Sequence, residues 1–394
     1  MKQIIPRILK NSLLESSQQL PVVAILGPRQ SGKTTLAKTT FDKHKYVSLE
    51  DLDTRQRAIE DPRKFLSDIC FNNNNGVILD EFQNAPAILS YIQTIVDEQE
   101  KPGYFILTGS QNFLVNQEIT QTLAGRIALL TLLPLSITEL KNNNILPKTV
   151  EDLIFKGAYP RIYARNVNPI TWYRDYIETY LERDVRLISH VKDLVQFKYF
   201  VQLCAGRIGQ VVNYSSLASD CGIDTRTAKE WLSLLQASYI IFTLQPHNKN
   251  FNRRLIKSPK LYFYDTGLVC SLLKIESREQ LLTHYMRGNL FECLVISELY
   301  KHFFNKNRRP SIYFWRDNHG HEIDCIIEKA SKLIPIEIKS SMTAYPKIFN
   351  ELQEWYKISE TQVPNGYVIY GGDENQSRLH GIALSWKNLN LIDI

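Results

Sequence analysis

Short apolar runs alternate with helix-like stretches along the first part of the chain. Val22–Leu26, Val77–Leu79 and Tyr104–Thr108 are apolar runs of strand length, and the segments between them have helical periodicity. Continuous apolar runs of this kind are typical of parallel strands that are covered on both faces. The pattern up to about residue 140 therefore predicts an α/β fold with a mostly parallel sheet between helices.

The pattern changes after this region. Residues 151–206 have long helical periodicity and many tyrosines and arginines, which predicts a lid or an interdomain connector. Tyrosines three and four residues apart are expected to fill a core rather than to stack on bases. From Ile312 the chain again has the pattern of strands, so a second α/β domain is expected at the C-terminal end.

The clearest chemical motif follows the first apolar run. Residues 27–34 read Gly-Pro-Arg-Gln-Ser-Gly-Lys-Thr between a strand and a helix, which is the setting of a phosphate-binding loop. Gly27 and Gly32 permit a tight turn of converging N–H groups, Lys33 reaches the β- and γ-phosphates, and Thr34 binds Mg²⁺. We therefore expect ATP and Mg²⁺ as cofactors. The expected nucleotide contacts are Gly27, Pro28, Arg29, Gln30, Ser31, Gly32, Lys33, Thr34 and Thr35.

Polar residues follow two further strands. Asp80 is expected to hold Mg²⁺ through water, and Glu81 to orient or deprotonate the attacking water. A solvated turn or a helix cap is the alternative for such an acidic pair. At the end of the next strand, Thr108, Ser110 or Gln111 would sense the γ-phosphate, and the sequence leaves open which of them does so.

Hydrolysis also requires positive charge on the transition state, which a neighbouring subunit often supplies as an arginine. Arg126 is the first choice for this role, and Arg29 and Arg55 are weaker ones. The alternative for Arg126 is a surface arginine after a turn. A homo-oligomer is therefore a possible partner assembly.

Residues 214–235 predict two helices joined by a tight turn at Gly222. A strand at 239–244 and basic residues beyond it resemble a wing, so we expect a winged helix-turn-helix that binds DNA. A spacer or interaction module is the alternative. The basic residues near the wing tip are Lys249, Arg253, Arg254 and Lys257. The residues expected to contact nucleic acid are Thr225, Arg226, Thr227 and Lys229.

The C-terminal strands predict a hairpin with a four-residue connection at 329–332. A symmetric loop would set Asp324 opposite Glu337 and Glu322 opposite Lys339, with an apolar opposite face. Three carboxylates and a lysine suit metal-assisted phosphodiester hydrolysis, in which Asp324 and Glu337 hold Mg²⁺ and Lys339 acts on the attacking water. An exposed hairpin with paired charges is the alternative.

Composition narrows the class of protein. A chain of 394 residues is expected to form two or three domains. The net charge of +6 is compatible with a polyanionic partner but does not require one. The cysteines lack C-x-x-C spacing, and the chain start lacks the pattern of a signal peptide. The longest apolar stretch, 127–137, is too short to span a bilayer. We expect a cytoplasmic protein with reduced thiols and no membrane partner.

Together these motifs resemble the prokaryotic AAA ATPases that have a conserved C-terminal region of uncharacterised function. The matching positions are residues 27–35, 79–81, 107–110, 123–126, 134–136, 157–160 and 264–268, with Glu292, Asp324, Glu337 and Lys339. The resemblance implies a restriction-endonuclease-like, PD-(D/E)xK-type domain in which Glu292 joins the metal ligands. The expected domains are an AAA-type ATPase domain at 1–145, a helical connector at 146–205, a winged helix-turn-helix at 206–260 and the nuclease-like domain at 261–394.

Two classes of function remain open from the sequence. The first is an ATP-driven enzyme that engages DNA and cleaves it at the C-terminal site. The second is an ATP-switched DNA-binding or signalling protein whose nuclease-like domain is not catalytic. Both require ATP binding at the phosphate-binding loop.

Overall fold

The N-terminal part of the chain forms a five-stranded parallel sheet with strand order β2-β3-β4-β1-β5. The computed structural model describes residues 4–110, 122–181, 193–247, 256–330, 332–361 and 364–392. The elements of this part are α1 (Lys10–Gln19), β1 (Val22–Leu26), α2 (Lys33–Thr40), β2 (Lys45–Ser48), α3 (Leu52–Glu60), α4 (Pro62–Cys70), β3 (Val77–Asp80), α5 (Ile88–Gln99), β4 (Phe105–Gly109) and β5 (Ile127–Thr131).

Both faces of this sheet are covered by helices. Every residue of β1, β3 and β4 is buried. Leu13 and Leu36 from α1 and α2 pack with Ile25 on one face. Phe65 and Ile92 from α4 and α5 belong to the core on the other face. The prediction of a parallel sheet between helices is confirmed, and the carboxyl ends of β1, β3 and β4 meet at one edge.

A helical region follows the sheet. Its buried tyrosines, Tyr159, Tyr173 and Tyr176, belong to the main core, as expected for tyrosines at this spacing. The elements are α6 (Ile137–Asn142), α7 (Val150–Lys156), α8 (Pro160–Ala164), α9 (Pro169–Tyr176), a π-helical turn (Ile177–Leu181), α10 (Leu194–Ala205), α11 (Tyr214–Cys221), α12 (Thr225–Ala237), β6 (Ile241–Leu244), β7 (Lys260–Phe263), α13 (Thr266–Leu272), α14 (Arg278–Thr283) and α15 (Arg287–Asn305).

The two helices predicted around Gly222 are present as α11 and α12. Gly222 ends α11 with a φ of 71°, a conformation that glycine adopts without steric cost. Asp224 caps α12 by accepting the backbone N–H of Thr227. Trp231 of α12 packs edge-on against Phe197 of α10. β6 and β7 form an antiparallel pair after these helices. Residues 248–255 between them, with Lys249, Arg253 and Arg254, lie outside the described residues.

The C-terminal part forms a six-stranded mixed sheet with the order β12-β13-β11-β10-β9-β8. Strand pairs β8–β9, β9–β10 and β12–β13 are antiparallel, whereas β10–β11 and β11–β13 are parallel. The elements are β8 (Ile312–Arg316), β9 (Glu322–Lys329), β10 (Lys332–Lys339), α16 (Asn350–Ser359), β11 (Tyr367–Tyr370), β12 (Gln376–Arg378) and β13 (Gly381–Ser385).

The β9–β10 hairpin has the register expected from the sequence. Ile336 pairs with Cys325, and the same alignment sets Asp324 opposite Glu337. The predicted four-residue connection is wrong, because its first and last residues are themselves paired and only two residues link the strands. Ala330 has a left-handed φ of 53°, as a tight two-residue turn requires.

The apolar faces of this hairpin differ from the prediction at one position. Ile323 belongs to a second core with Trp315 and Trp355 beneath α16. The hairpin is covered on both faces, so it is not an exposed pair of strands. The predicted apolar residues that lie in the main core are Cys325, Ile327, Ile334, Ile336 and Ile338.

Helix α15 joins the C-terminal part to the loop after β5. Lys301 Nζ donates hydrogen bonds to the Leu135 carbonyl at 3.1 Å and to Glu298 Oε1 at 2.7 Å. The other Glu298 oxygen accepts the Ile137 N–H at 2.7 Å. Burial raises the pKa of Glu298 although Lys301 acts against the increase. Both halves of the chain therefore share one continuous core. In the described ranges no helix is both long and apolar enough to cross a membrane.

Candidate functional site

The phosphate-binding loop turns sharply between β1 and α2. Gly27 and Gly32 have φ values of 150° and 98°, and a side chain would be strained at both. A Cβ atom on Gly27 would lie 2.2 Å from the Leu132 carbonyl oxygen, so only glycine fits against the neighbouring strand. Gln30 also has a positive φ of 63°. The loop conformation thus depends on the glycines that the motif supplies.

Lys33 lies buried at the first position of α2. Its side chain is 5% exposed, and Nζ donates hydrogen bonds to the carbonyl oxygens of Gly27 at 3.1 Å and Pro28 at 2.9 Å. The ammonium is thereby held inside the turn of the loop. A positive charge at this position attracts phosphate oxygens.

Asp80 organises the polar side chains at the carboxyl edge of the sheet. Its Oδ1 accepts hydrogen bonds from the hydroxyls of Thr34, at 2.8 Å, and Thr108, and Oδ2 accepts one from Tyr46 at 2.8 Å. Burial, followed by the Asp80 carboxylate, raises the pKa of Tyr46 to about 12. Two hard oxygen donors, the Thr34 hydroxyl and the Asp80 carboxylate, lie together here and fit the ligand preference of Mg²⁺.

Glu81 lies one residue beyond β3 in a left-handed conformation, with a φ of 54°. Its Oε2 accepts hydrogen bonds from Gln83 Nε2 and, at 3.0 Å, from Ser110 Oγ. Of the three γ-phosphate sensors considered, Thr108 is bonded to Asp80 and Ser110 to Glu81. Gln111 lies outside the described residues. Gln83 was not anticipated from the sequence, because it follows the strand in an irregular turn.

A cavity of about 560 Å³ opens above the loop. Residues from five segments line it, including Gly32, Lys33, Thr34, Asp80 and Glu81 from the predicted site. Its wall also contains residues that the sequence did not suggest. These are Arg7 and Lys10 from the chain start and Pro160, Arg161 and Arg165 from the region of α8.

Arg7 fastens the chain start to the loop. Its guanidinium donates to the Ser31 carbonyl at 2.6 Å, to the Leu133 carbonyl at 2.6 Å and to Glu139 Oε1 at 3.0 Å. Glu139 is nearly fully buried and also completes the N-terminal capping box of α6 with Ser136. Because these partners are far apart in the sequence, no local pattern reveals the role of Arg7.

The three arginines considered as transition-state cations occupy different places. Arg126 forms an exposed ion pair with Asp97, and it is not among the described residues that line the cavity. Arg29 does line the cavity, and its guanidinium lies 3.7 Å from Glu50 Oε1. Arg55 lies in α3 and is not among the described residues that line the cavity. The role of Arg126 toward a second subunit stays a prediction.

The residues predicted to contact nucleic acid lie together on the first turns of α12. Arg226 and Lys229 are exposed, whereas Thr225 and Thr227 are partly buried. The Arg226 guanidinium donates to Glu230 at 2.9 Å, and Lys229 Nζ lies 5.6 Å from the centre of a tyrosine ring in α11.

The C-terminal carboxylates meet at one edge of the mixed sheet. Glu337 is 2% exposed, and its Oε2 lies 2.9 Å from Lys339 Nζ. Asp324 Oδ2 accepts the backbone N–H of Ile338 at 2.8 Å. Burial and the Glu292 carboxylate raise the pKa of Asp324 to about 7. Burial and Asp324 raise the pKa of Glu337. The predicted group of Asp324, Glu337 and Lys339 is therefore assembled, beside a cavity of about 360 Å³.

A second lysine enters this cluster from β7. Lys260 Nζ lies 3.1 Å from Glu292 Oε1 and 2.5 Å from Glu322 Oε1, and its side chain is only 4% exposed. Glu292 Oε1 also accepts a hydrogen bond from the Tyr262 hydroxyl. Burial alone would lower the pKa of Lys260, but the surrounding carboxylates raise it. The sequence did not suggest Lys260, because it is far in the chain from Glu322 and lies on another sheet.

Lys260 changes what the cluster offers to a metal ion. Glu292 faces Lys260 and Tyr262, so it does not complete a ligand set with Asp324 and Glu337. Within the described ranges, no group of three or more His, Cys, Asp or Glu side chains is arranged to hold a metal. Glu292 is therefore engaged by Lys260 and Tyr262, and the role of Asp324 and Glu337 as metal ligands stays a prediction.

Three family models match successive parts of the chain. Residues 19–141 match an AAA domain, residues 147–279 match a domain of unknown function (DUF8612), and residues 287–389 match another domain of unknown function (DUF4143). The matches give an AAA domain followed by two domains of unknown function, which agrees with the predicted resemblance to AAA ATPases with an uncharacterised C-terminal region.

Two relatives similar in sequence are both described as uncharacterized proteins. An uncharacterized protein of Mycobacterium tuberculosis is 26% identical over 373 residues, which are 92% of this chain and 79% of the relative. An uncharacterized protein of Methanocaldococcus jannaschii is 23% identical over 78% of this chain and 72% of the relative. Among solved structures, a Walker-type ATPase of Pyrococcus abyssi aligns with a TM-score of 0.47 and 15% identity, over 68% of this chain and 96% of that one.

Proposed function

We propose that this protein binds ATP together with Mg²⁺ at the phosphate-binding loop and hydrolyses the γ-phosphate. The observation that supports the proposal is the convergence of Lys33, Thr34, Asp80 and Glu81 on one cavity. Lys33 would neutralise phosphate oxygens, and Thr34 and Asp80 would hold Mg²⁺, directly and through water respectively. Bound Mg²⁺ would supply positive charge to the phosphates during transfer.

Glu81 is the proposed residue that orients and deprotonates water. Gln83 and Ser110 both donate hydrogen bonds to its Oε2, which hold this oxygen in place. Oε1 accepts no hydrogen bond from the described residues, and Glu81 lines the cavity. A water molecule at Oε1 would therefore be held close to the expected position of the γ-phosphate.

Measurements of ATP binding and of ATP hydrolysis distinguish the proposed roles of these residues. Lys33→Ala should remove nucleotide binding measured by calorimetry, since it removes the buried ammonium. Glu81→Gln should keep ATP binding and lose hydrolysis, because the amide remains a hydrogen-bonding group but is not a base. Thr34→Ala should raise the Mg²⁺ concentration needed for turnover, whereas Thr94→Ala, an exposed helix position that makes only a local bond, should not. Normal hydrolysis by Glu81→Gln would refute the assignment of the base.

We propose DNA as a partner of α12, with the helices 194–237 and the strand pair β6–β7 acting as a winged helix between the ATPase and C-terminal domains. Arg226 and Lys229 support this proposal, because both are exposed on the first turns of one helix. Arg226→Ala with Lys229→Ala should weaken duplex binding and reduce its salt dependence by roughly two phosphate contacts. Lys148→Ala with Lys274→Ala is the control loss of charge, because both lysines are exposed and lie outside the proposed winged helix. Binding that survives the α12 substitutions would move the contact to another surface.

Phosphodiester cleavage at Asp324, Glu337 and Lys339 is a second candidate function. The buried acidic pair beside a lysine and a cavity supports it. The ion pairs of Lys260 with Glu292 and Glu322 favour the alternative of a domain that binds but does not cleave. Incubation with Mg²⁺ or Mn²⁺ and several DNA and RNA forms, beside Lys339→Ala, distinguishes the two. Cleavage that equals the Lys339→Ala background in every nucleotide state would exclude the nuclease.

A further inference from the structure

The side chain of Lys260 leaves the strand pair β6–β7 and enters the acidic cluster of the C-terminal part. Its Nζ lies 3.1 Å from Glu292 Oε1 in α15 and 2.5 Å from Glu322 Oε1 in β9. On another side, Nζ lies 5.5 Å from the centre of the Phe314 ring in β8. Only 4% of the Lys260 side chain is exposed. The ammonium is therefore almost removed from water, and the carboxylates around it supply the charge that compensates for this burial.

The backbone that carries Lys260 is paired along both edges. Lys260 lies opposite Leu244 in the β6–β7 pair. Along the other edge of β7, the Leu261 N–H donates to the Gln210 carbonyl at 3.0 Å, and the Gly209 N–H donates to the Leu261 carbonyl at 2.8 Å. The ammonium thus extends from a strand that is held on both sides, and its position in the cluster is fixed by the proposed winged helix.

Glu292 is held by the same strand. Lys260 and Tyr262 are alternate residues of β7, so their side chains lie on one face of the strand. Both contact Glu292 Oε1, one as an ion pair and the other as a hydroxyl donor. Gly209 closes the other side of the carboxylate, because a Cβ atom there would lie 3.2 Å from Glu292 Oε2. Both oxygens of Glu292 therefore face β7 and the segment paired with it.

The charge of Lys260 also acts on Asp324. Burial and the Glu292 carboxylate raise the pKa of Asp324 to about 7, and Lys260 and Lys339 oppose that increase. Lys339 Nζ lies 2.9 Å from Glu337 Oε2. The cluster thus has two resident cations, one beside Glu337 and one beside Glu292.

A divalent cation would need the same carboxylate oxygens. Asp324 and Glu337 offer the hard oxygen ligands that Mg²⁺ prefers, and the family resemblance implies Glu292 as a further ligand. With the Lys260 ammonium 3.1 Å from Glu292 Oε1, an ion bound to that carboxylate would bring two like charges together in a poorly hydrated place. Lys260 and a metal ion therefore cannot both use Glu292 favourably.

We propose that Lys260 and a divalent cation compete for the carboxylates of this cluster, and that Lys260 excludes the ion while β7 holds it beside Glu292. This inference rests on the predicted role of Asp324 and Glu337 as metal ligands and adds the residue that controls that role. Lys260 is a blocking cation in this proposal and not a catalytic residue. Loading of the C-terminal site with a metal would require β7 to move.

Calorimetry with Mn²⁺ tests the competition. The parent is nucleotide-free protein with Thr34→Ala, which removes a proposed metal ligand of the ATP site. Lys260→Met should bind Mn²⁺ at least about tenfold more tightly than the parent, because it removes a positive charge close to the carboxylates. Asp324→Asn in the same protein should abolish this gain. Tyr262→Phe, which removes an uncharged partner of Glu292, and Lys274→Met, which removes an exposed charge, should leave Mn²⁺ affinity at the parent level.

Urea unfolding supplies a readout that does not depend on any activity. Lys260→Met should lower the urea midpoint, because it leaves Glu292 without its counter-charge, and Mn²⁺ should restore the midpoint by binding the folded protein. The midpoint of the parent should not respond to Mn²⁺.

The possible results separate the blocking role from the metal site itself. Mn²⁺ binding through Asp324 that is equally tight in the parent and in Lys260→Met would overturn the blocking role and leave the metal site standing. Absence of Mn²⁺ binding in both proteins would overturn the metal site and the proposal together. The parent keeps the proposal testable even where Lys260→Met does not fold, since parent Mn²⁺ uptake that Asp324→Asn removes would show that Lys260 excludes nothing.

Discussion

Asp265→Ala is expected to destabilise the protein more than any exposed helix cap can explain. In the folded chain the Asp265 carboxylate accepts hydrogen bonds from Ala158 N–H, Leu268 N–H and Tyr173 OH. Only the bond to Leu268 is local, as the N-cap of α13. The other two donors lie 107 and 92 residues away in the chain, and both bonds are buried. The substitution therefore removes a cap and two long-range contacts together.

The magnitude follows from these three contacts. Loss of an N-cap costs about 1 kcal/mol, and each buried donor left without an acceptor costs about 1–3 kcal/mol. A gain opposes these losses, because burial raises the pKa of Asp265 and the charged carboxylate is itself unfavourable there. We expect a net loss of about 2–4 kcal/mol in the free energy of unfolding. Tyr173→Phe, which removes one hydroxyl, should cost about 1 kcal/mol.

Urea unfolding of nucleotide-free protein measures these differences. Asp224→Ala is the matched control, because Asp224 caps α12 in the same way but is exposed and has no long-range donor. It should lose about 1 kcal/mol. The excess loss of unfolding free energy in Asp265→Ala is then the contribution of its two buried hydrogen bonds to Ala158 and Tyr173. Equal losses in the two variants would refute the view that Asp265 holds Ala158 and Tyr173 to the start of α13.

Other predictions concern single positions. Gly27→Ala should abolish nucleotide binding and lower stability, because its Cβ would meet the Leu132 carbonyl; ATP calorimetry with intact affinity would contradict this. Arg7→Ala should lower the affinity for ATP and the thermal midpoint, because it releases the Ser31 carbonyl of the loop, whereas equal affinity would limit Arg7 to a structural role. Burial and nearby cations lower the pKa of His302 from 6.5 to about 4. Because the unfolded chain binds this proton at higher pH, stability should rise between pH 4 and 6.5, and His302→Gln should flatten that rise in urea midpoints measured across this range.

Local patterns predicted the elements whose form is set by neighbouring residues. The run Val22–Leu26 is continuous and apolar because β1 lies between two other strands beneath helices on both faces. Gly27 and Gly32 marked a turn that requires positive φ. Alternation along β9 and β10 identified the register that sets Asp324 beside Glu337, since a shift by one residue would reverse both faces.

Contacts between distant segments could not be predicted in this way. Lys260 enters an acidic cluster from another sheet, and its own neighbours in sequence are apolar strand residues. No motif surrounds Arg7 in the sequence, although its guanidinium donates a hydrogen bond to the phosphate-binding loop. The connection between Ala158 and Asp265 depends on how the helices pack. The partners of such residues are set by the tertiary fold, and a single sequence does not show which distant residues come into contact.

The position of α15 also determines how the molecule can be dissected. Removing the chain from Arg287 onward would leave the Ile137 N–H and the Leu135 carbonyl without Glu298 and Lys301. It would also expose core residues of the N-terminal part that pack in the same core as α15. We therefore expect an isolated AAA domain to be less stable than the same domain in the full chain. The C-terminal half therefore helps to hold the loop after β5 in place, independently of any activity of its own.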